Sequence, residues 1–143
     1  TETIAQDVLL KHQGDKYAAA PAGISIGHVQ LRVNNLADTA KFYEAGLGFS
    51  VNNDADPKQL FLAAGDYHHH IGINLTNDEH LAKPVFDEYG LDYVNLILPN
   101  ESAMDLLRTN LDAQGFKDYD YNSQFHYLQV TDPNGINLWF AIA

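Results

Sequence analysis

GHVQLRVNNLADTAKFYEAGLGF, residues 27–49, is the stretch that decides the fold. Val29, Leu31 and Val33 alternate with His28, Gln30 and Arg32, which predicts a strand with one apolar face. Asn35 then opens a helix, with Asp38 at the capping-box position. Leu36, Ala40, Tyr43 and Leu47 fall at i, i+4, i+7 and i+11, a single apolar stripe, and Gly46 or Gly48 is placed to end the helix. FSVNN (49–53) reads as a strand and DADP (54–57) as a turn. KQLFLAAG (58–65) and YHHHIGINL (67–75) read as two strands of a hairpin around Gly65–Asp66. Alternation through the second of these groups His69 with Ile71 and Ile73, and His68 with His70.

The order then repeats. Residues 76–90 are polar and read as a long connection. LDYVNLILP (91–99) sets Val94, Leu96 and Leu98 on one face and Tyr93, Asn95 and Ile97 on the other. Asn100 or Ser102 caps a helix carrying Met104, Leu107 and Leu111, which ends at Gly115. FKDYDYN (116–122), FHYLQVTD (125–132) and INLWFAIA (136–143) read as three strands, the last two separated by the turn Pro133-Asn134-Gly135. The chain is therefore expected to be an α+β domain of two strand–helix–three-strand modules, at about 24–75 and 91–143, preceded by a lead-in or linker over 1–23.

The chain has 143 residues, 45% hydrophobic and 19% charged, enough for one core and one domain. Eight basic against 19 acidic residues give a net charge of −11, which argues against nucleic-acid or anionic-membrane partners. Without cysteine there are no disulfides, no thiolate metal sites and no thiol catalysis, which accords with a cytoplasmic protein. No apolar run approaches the ~20 residues of a membrane span. The first residue is Thr, and Ala18–Pro21 reads as a linker, so the expectation is the C-terminal part of a longer chain.

Residues 27–49, FLAAGDYHHHIGIN (61–74) and TDPNGINLW (131–139) together resemble the vicinal oxygen chelate superfamily, which holds glyoxalase I, bleomycin-resistance proteins and extradiol dioxygenases. The chain is most similar to the C-terminal half of bacterial two-domain catechol 2,3-dioxygenases; AAAPAGISIGHV (18–29) looks like the linker between their halves. The resemblance implies paired βαβββ modules forming an open barrel-like sheet around a pocket, with the helices outside. It also implies an N-terminal homologous half and a homo-oligomer as partners.

Family members of the extradiol type hold Fe(II) with two His and one carboxylate. Carried over by the resemblance, the first ligand position is His28; the second holds Tyr93, in GLDYVNL, in place of His; the third holds Asn137, in GINL, in place of Glu. The family's acid/base His corresponds to His69, and its Tyr before the Asp-Pro turn corresponds to Gln129, with Tyr127 two residues earlier on the same face. His28, Tyr93 and Asn137 are expected to converge. Gln30, Arg32, Asn95 and Trp139 complete the expected pocket, and His126 alternates away from it. His12 and His80 fall in loops. Two replaced ligands of three point to a degraded metal site. The favoured reading is a module that binds a small organic molecule, aromatic or polar, without a cofactor. The alternatives are a divergent enzyme holding a divalent metal (Fe, Mn, Zn or Ni), and a structural half that supports chemistry elsewhere.

Overall fold

A computed structural model describes residues 26–52, 56–76 and 90–143. The expected lead-in over 1–23, most of the connection 76–90, the core of the DADP turn, His12 and His80 lie outside the described residues. The first module runs β1 (Val29–Val33), α1 (Leu36–Ala40) continuing as a π-helical segment (Lys41–Gly46), β2 (Ser50–Asn52), β3 (Gln59–Ala63) and β4 (Ile71–Leu75). The second runs β5 (Val94–Leu98), α2 (Glu101–Ala113), β6 (Tyr119–Asn122), β7 (Tyr127–Thr131) and β8 (Asn137–Ile142).

Each module forms a four-stranded mixed sheet, in the orders β1-β4-β3-β2 and β5-β8-β7-β6. The first strand of each module lies parallel to the last, because a helix carries the chain back between them; the remaining pairs are antiparallel. The two sheets do not close into a barrel. On the helix side, Leu31, Val33, Leu60, Leu62, Ile71 and Ile73 from one sheet meet Leu128, Val130, Leu138 and Phe140 from the other in one continuous core. The helices complete it with Phe42, Tyr43, Met104, Leu107 and Leu111. The last three are the stripe expected of the second helix. Of the first helix's expected stripe, Tyr43 is fully buried, Leu36, Ala40 and Leu47 pack on the core partly exposed, and Phe42 joins from outside it.

Both helix starts follow from their caps. Asn35 Oδ1 accepts from the N–H groups of Ala37 and Asp38, and Asn100 Oδ1 accepts from Ala103 N–H, so Asn100 and not Ser102 caps α2. Asp38 bonds the Asn35 side chain at 2.8 Å in place of the Asn35 backbone that a capping box requires.

Two expectations are corrected. The first helix widens after Ala40 into a π-helical turn, with Leu47 N–H reaching Phe42 O and Phe49 N–H reaching Tyr43 O, each at 3.0 Å. The widened carbonyls are taken up from outside: Asn110 Nδ2 on α2 donates to Ala45 O at 2.6 Å and Gly46 O at 2.9 Å. Gly48, at φ +82°, supplies the left-handed residue after it. Second, the tight hairpin around Gly65–Asp66 is a seven-residue loop, 64–70, and β4 starts only at Ile71. Within this loop Ala64 N–H donates to His70 Nδ1 at 3.2 Å, and His70 N–H donates to Leu62 O at 2.7 Å. The period-two alternation therefore stops at Ile71 and does not assign faces to His68, His69 or His70. Likewise β7 begins at Tyr127, after a turn that Asn122 Oδ1 holds through Gln124 and Phe125 N–H.

Candidate functional site

The non-helical face of the second sheet carries the densest group of expected pocket residues. Cross-strand register places Asn95 and Gln129 on either side of Trp139. Tyr127 stands opposite Ala141, whose small side chain leaves the diagonal toward Trp139 open. The result is a ladder of three rings. Tyr93 stacks on Trp139 at 4.9 Å between centroids and 28° between planes, and Tyr127 stacks on it at 5.7 Å and 11°. Tyr93 remains 46% and Trp139 37% exposed. A cavity of about 520 Å³ lies against them, lined also by Gln129, Thr131 and Asn137, and bordered by Asp92, Asp118 and Asp120.

Asn137 is held on both ends of its amide. Thr131 Oγ1 donates to Asn137 Oδ1 at 3.0 Å, and Asn137 Nδ2 donates to Asp92 O at 3.2 Å. Thr131 and Asn137 are themselves placed by the turn between β7 and β8. Buried Asp132 accepts from Asn134 N–H and Ile136 N–H, each at 2.8 Å, and from Tyr43 Oη at 3.2 Å. Asn134 Nδ2 reaches across to Thr39 Oγ1 at 3.0 Å. This turn thus clasps the second module to the first helix. Burial, and then the adjacent Asp132 carboxylate, push the Tyr43 phenol far above its ordinary value.

The first module gathers a different cluster. His69 packs on His28 and on Phe61, each at 4.7 Å between centroids, and its Nδ1 lies 2.7 Å from His68 Nδ1. Tyr67 packs at a tilt on His68 and His70. His69 therefore shares a face with His28, not with core residues Ile71 and Ile73 as alternation had grouped it. Gln30 folds over Gly72, where any Cβ would meet its amide. Arg32 is exposed on the same face of β1.

Of the three positions expected to converge, Tyr93 and Asn137 line one cavity, and His28 packs on His69. Asn95 lines a separate groove of about 600 Å³, between β5 and α2 on one side and Phe49, Ala64 and His70 on the other. His126 turns away at φ +50° and its Nδ1 lies 3.2 Å from Glu101. Sequence reasoning missed Asp118, just before β6, and Asp120, its second residue, and missed the Asp132–Tyr43 clasp. Asp120 pairs with Gln129 across the ladder, a register that the strand alternation alone could have offered. Among the described residues no group of three or more His, Asp or Glu is arranged to hold a metal ion. No helix among them is long and apolar enough to cross a membrane.

Residues 25–140 match the Glyoxalase/Bleomycin resistance protein/Dioxygenase superfamily. A catechol-2,3-dioxygenase of Bacillus subtilis (strain 168) is 34% identical over 145 residues, covering 98% of this chain and 50% of that protein. The chain thus spans about half the length of this relative. Among solved structures, a glyoxylase/bleomycin resistance protein/dioxygenase domain from Frankia sp. EAN1pec superposes with a TM-score of 0.65 at 18% identity, covering 84% of this chain and 98% of that one. A lactoylglutathione lyase from Agrobacterium tumefaciens does so at 0.59 and 14%, covering 87% and 96%. At these identities the structural likeness is one of fold.

Proposed function

The chain belongs to the Glyoxalase/Bleomycin resistance protein/Dioxygenase superfamily, and on that premise we propose that it binds a small organic molecule against the Tyr93–Trp139–Tyr127 ladder without a metal ion and without ring cleavage. The observation that carries this reading is the state of the three positions that the family resemblance marks as ligands. Asn137 has its amide oxygen engaged by Thr131 and its amide nitrogen by Asp92 O. Tyr93 is stacked on Trp139. His28 is packed on His69.

Such a set does not fit a divalent ion. A neutral amide already bonded at both ends offers no charge against the 2+ ion, and a phenol ligates well only after losing a proton whose ordinary pKa is about 10. One imidazole alone leaves an ion mostly hydrated. What the cavity offers instead is stacking surface and amide groups: a ligand ring gains contact area against Tyr93 and Trp139, and Gln129 stands beside them to orient a polar substituent. The lack of cysteine accords with a reducing, cytoplasmic setting.

The second reading is a divergent metal-dependent enzyme. It is favoured by the 34% identity to a catechol-2,3-dioxygenase and by the proximity of His28 to His69. Anaerobic titration with Fe(II), followed by catechol and an oxygen-uptake assay, separates the two. The binding reading expects no stoichiometric iron and no oxygen consumption. Stoichiometric iron with ring cleavage would replace it by the enzyme reading.

A further inference from the structure

The electrostatics of the cavity against β8 go beyond the shape and stacking used above. Asp92, Asp118 and Asp120 border it, and among the described residues no Lys, Arg or His lines it. The nearest basic residue in sequence, Lys117, lines a neighbouring hollow that shares Asp118, Val130 and Thr131 with this cavity. The cross-strand pair Asp120–Gln129 sets one carboxylate on the strand next to the ladder, in the row that leads to Trp139. The two rings that line this cavity, Tyr93 and Trp139, keep 46% and 37% of their surface exposed. Phenol and indole faces carry negative potential, and a carboxylate rim adds to it with the same sign. The net charge of the whole chain, −11, extends that field outward. An anionic ligand would meet repulsion from the three carboxylates, and a neutral one would gain no charge attraction from them.

We infer that this cavity selects an organic cation, a quaternary or protonated amine attached to an apolar or aromatic body. The ammonium group lies toward Asp118 and Asp120, and the apolar body lies on the Tyr93–Trp139 rings. The inference rests on the proposed ligand-binding function and narrows its ligand class.

Trp139 is the single tryptophan of the chain, so its emission reports on the ladder directly. The probes are benzyltrimethylammonium, benzyl alcohol and benzoate, titrated at low salt with equilibrium dialysis as a second measurement. Benzyltrimethylammonium is expected to bind about tenfold more tightly than benzyl alcohol, and benzoate more weakly than either. Raising the salt from about 0.02 to 0.5 M should erode the preference for the cation but leave benzyl alcohol unaffected. Asp118→Asn combined with Asp120→Asn should remove most of the preference and keep benzyl alcohol binding intact. Both residues are exposed, so the variant is expected to fold. Equal or tighter binding of benzyl alcohol or benzoate would overturn the cation inference and leave the ligand-binding function standing. If none of the three probes binds, both are overturned.

Discussion

Tyr43 and Asp132 come from different modules and meet in the core, where each satisfies the other at low exposure. The carboxylate also ties down Asn134 and Ile136 N–H, so its loss strands several donors at once. Tyr43→Phe is expected to cost ~1 kcal/mol and Asp132→Ala ~3 kcal/mol, measured by urea denaturation. The same pair predicts alkaline sensitivity. In the unfolded chain a tyrosine ionises near pH 10. In the folded protein burial and Asp132 hold Tyr43 protonated well above that. Above about pH 10 the unfolded state therefore binds fewer protons than the native one, and stability falls as pH rises. Tyr43→Phe should flatten this alkaline decline; an unchanged slope would show that Tyr43 does not cause it. This clasp was not legible in the sequence. Tyr43 fell correctly on the apolar stripe, and Asp132 fell at the end of an expected strand, next to a recognised turn, but periodicity carries no information about a contact between residues 89 apart.

Elements were legible where period and capping agreed. Val29–Val33 and Val94–Leu98 alternate cleanly, Asn35 caps as its position predicts, and Asn100 is the one of two expected candidates that caps the second helix. Legibility failed where a side chain from elsewhere redirects the backbone. The π-helical segment is held by Asn110 of the other module, and the loop 64–70 by an imidazole that takes a backbone N–H. Asn110→Ala should accordingly destabilise the protein by ~1–2 kcal/mol through carbonyls left at Ala45 and Gly46, with the effect seen in the thermal midpoint. Leu111→Ala, one residue on and fully buried, should cost ~2–5 kcal/mol in the same measurement because it opens a cavity. A cost for Asn110→Ala no larger than that of an exposed substitution would remove the π-helical segment's dependence on α2.

At the scale of the whole molecule, two similar modules share one core and divide their chemistry unevenly. The first gathers His28, His68 and His69 with Phe61 and Tyr67; the second gathers the ring ladder, its amides and its carboxylates. The strand faces that bear the second module's groups were readable from alternation, because a one-residue slip would have buried them; His68 and His69 sit in the loop before β4, where alternation does not reach. Which of them meet was not readable, since that depends on how the two sheets are set against each other. Trp139→Ala should abolish binding of aromatic ligands and cost under ~1 kcal/mol of stability, since the ring is partly exposed and not part of the buried core.

Whether this site binds its ligand without a metal is decided by titrating Trp139 emission with catechol under argon, once with EDTA and once with added Fe(II), and then admitting oxygen. Metal-free binding gives the same saturable change in both titrations and no oxygen uptake. An emission change that appears only with iron and is followed by oxygen uptake would show a metal-dependent site instead.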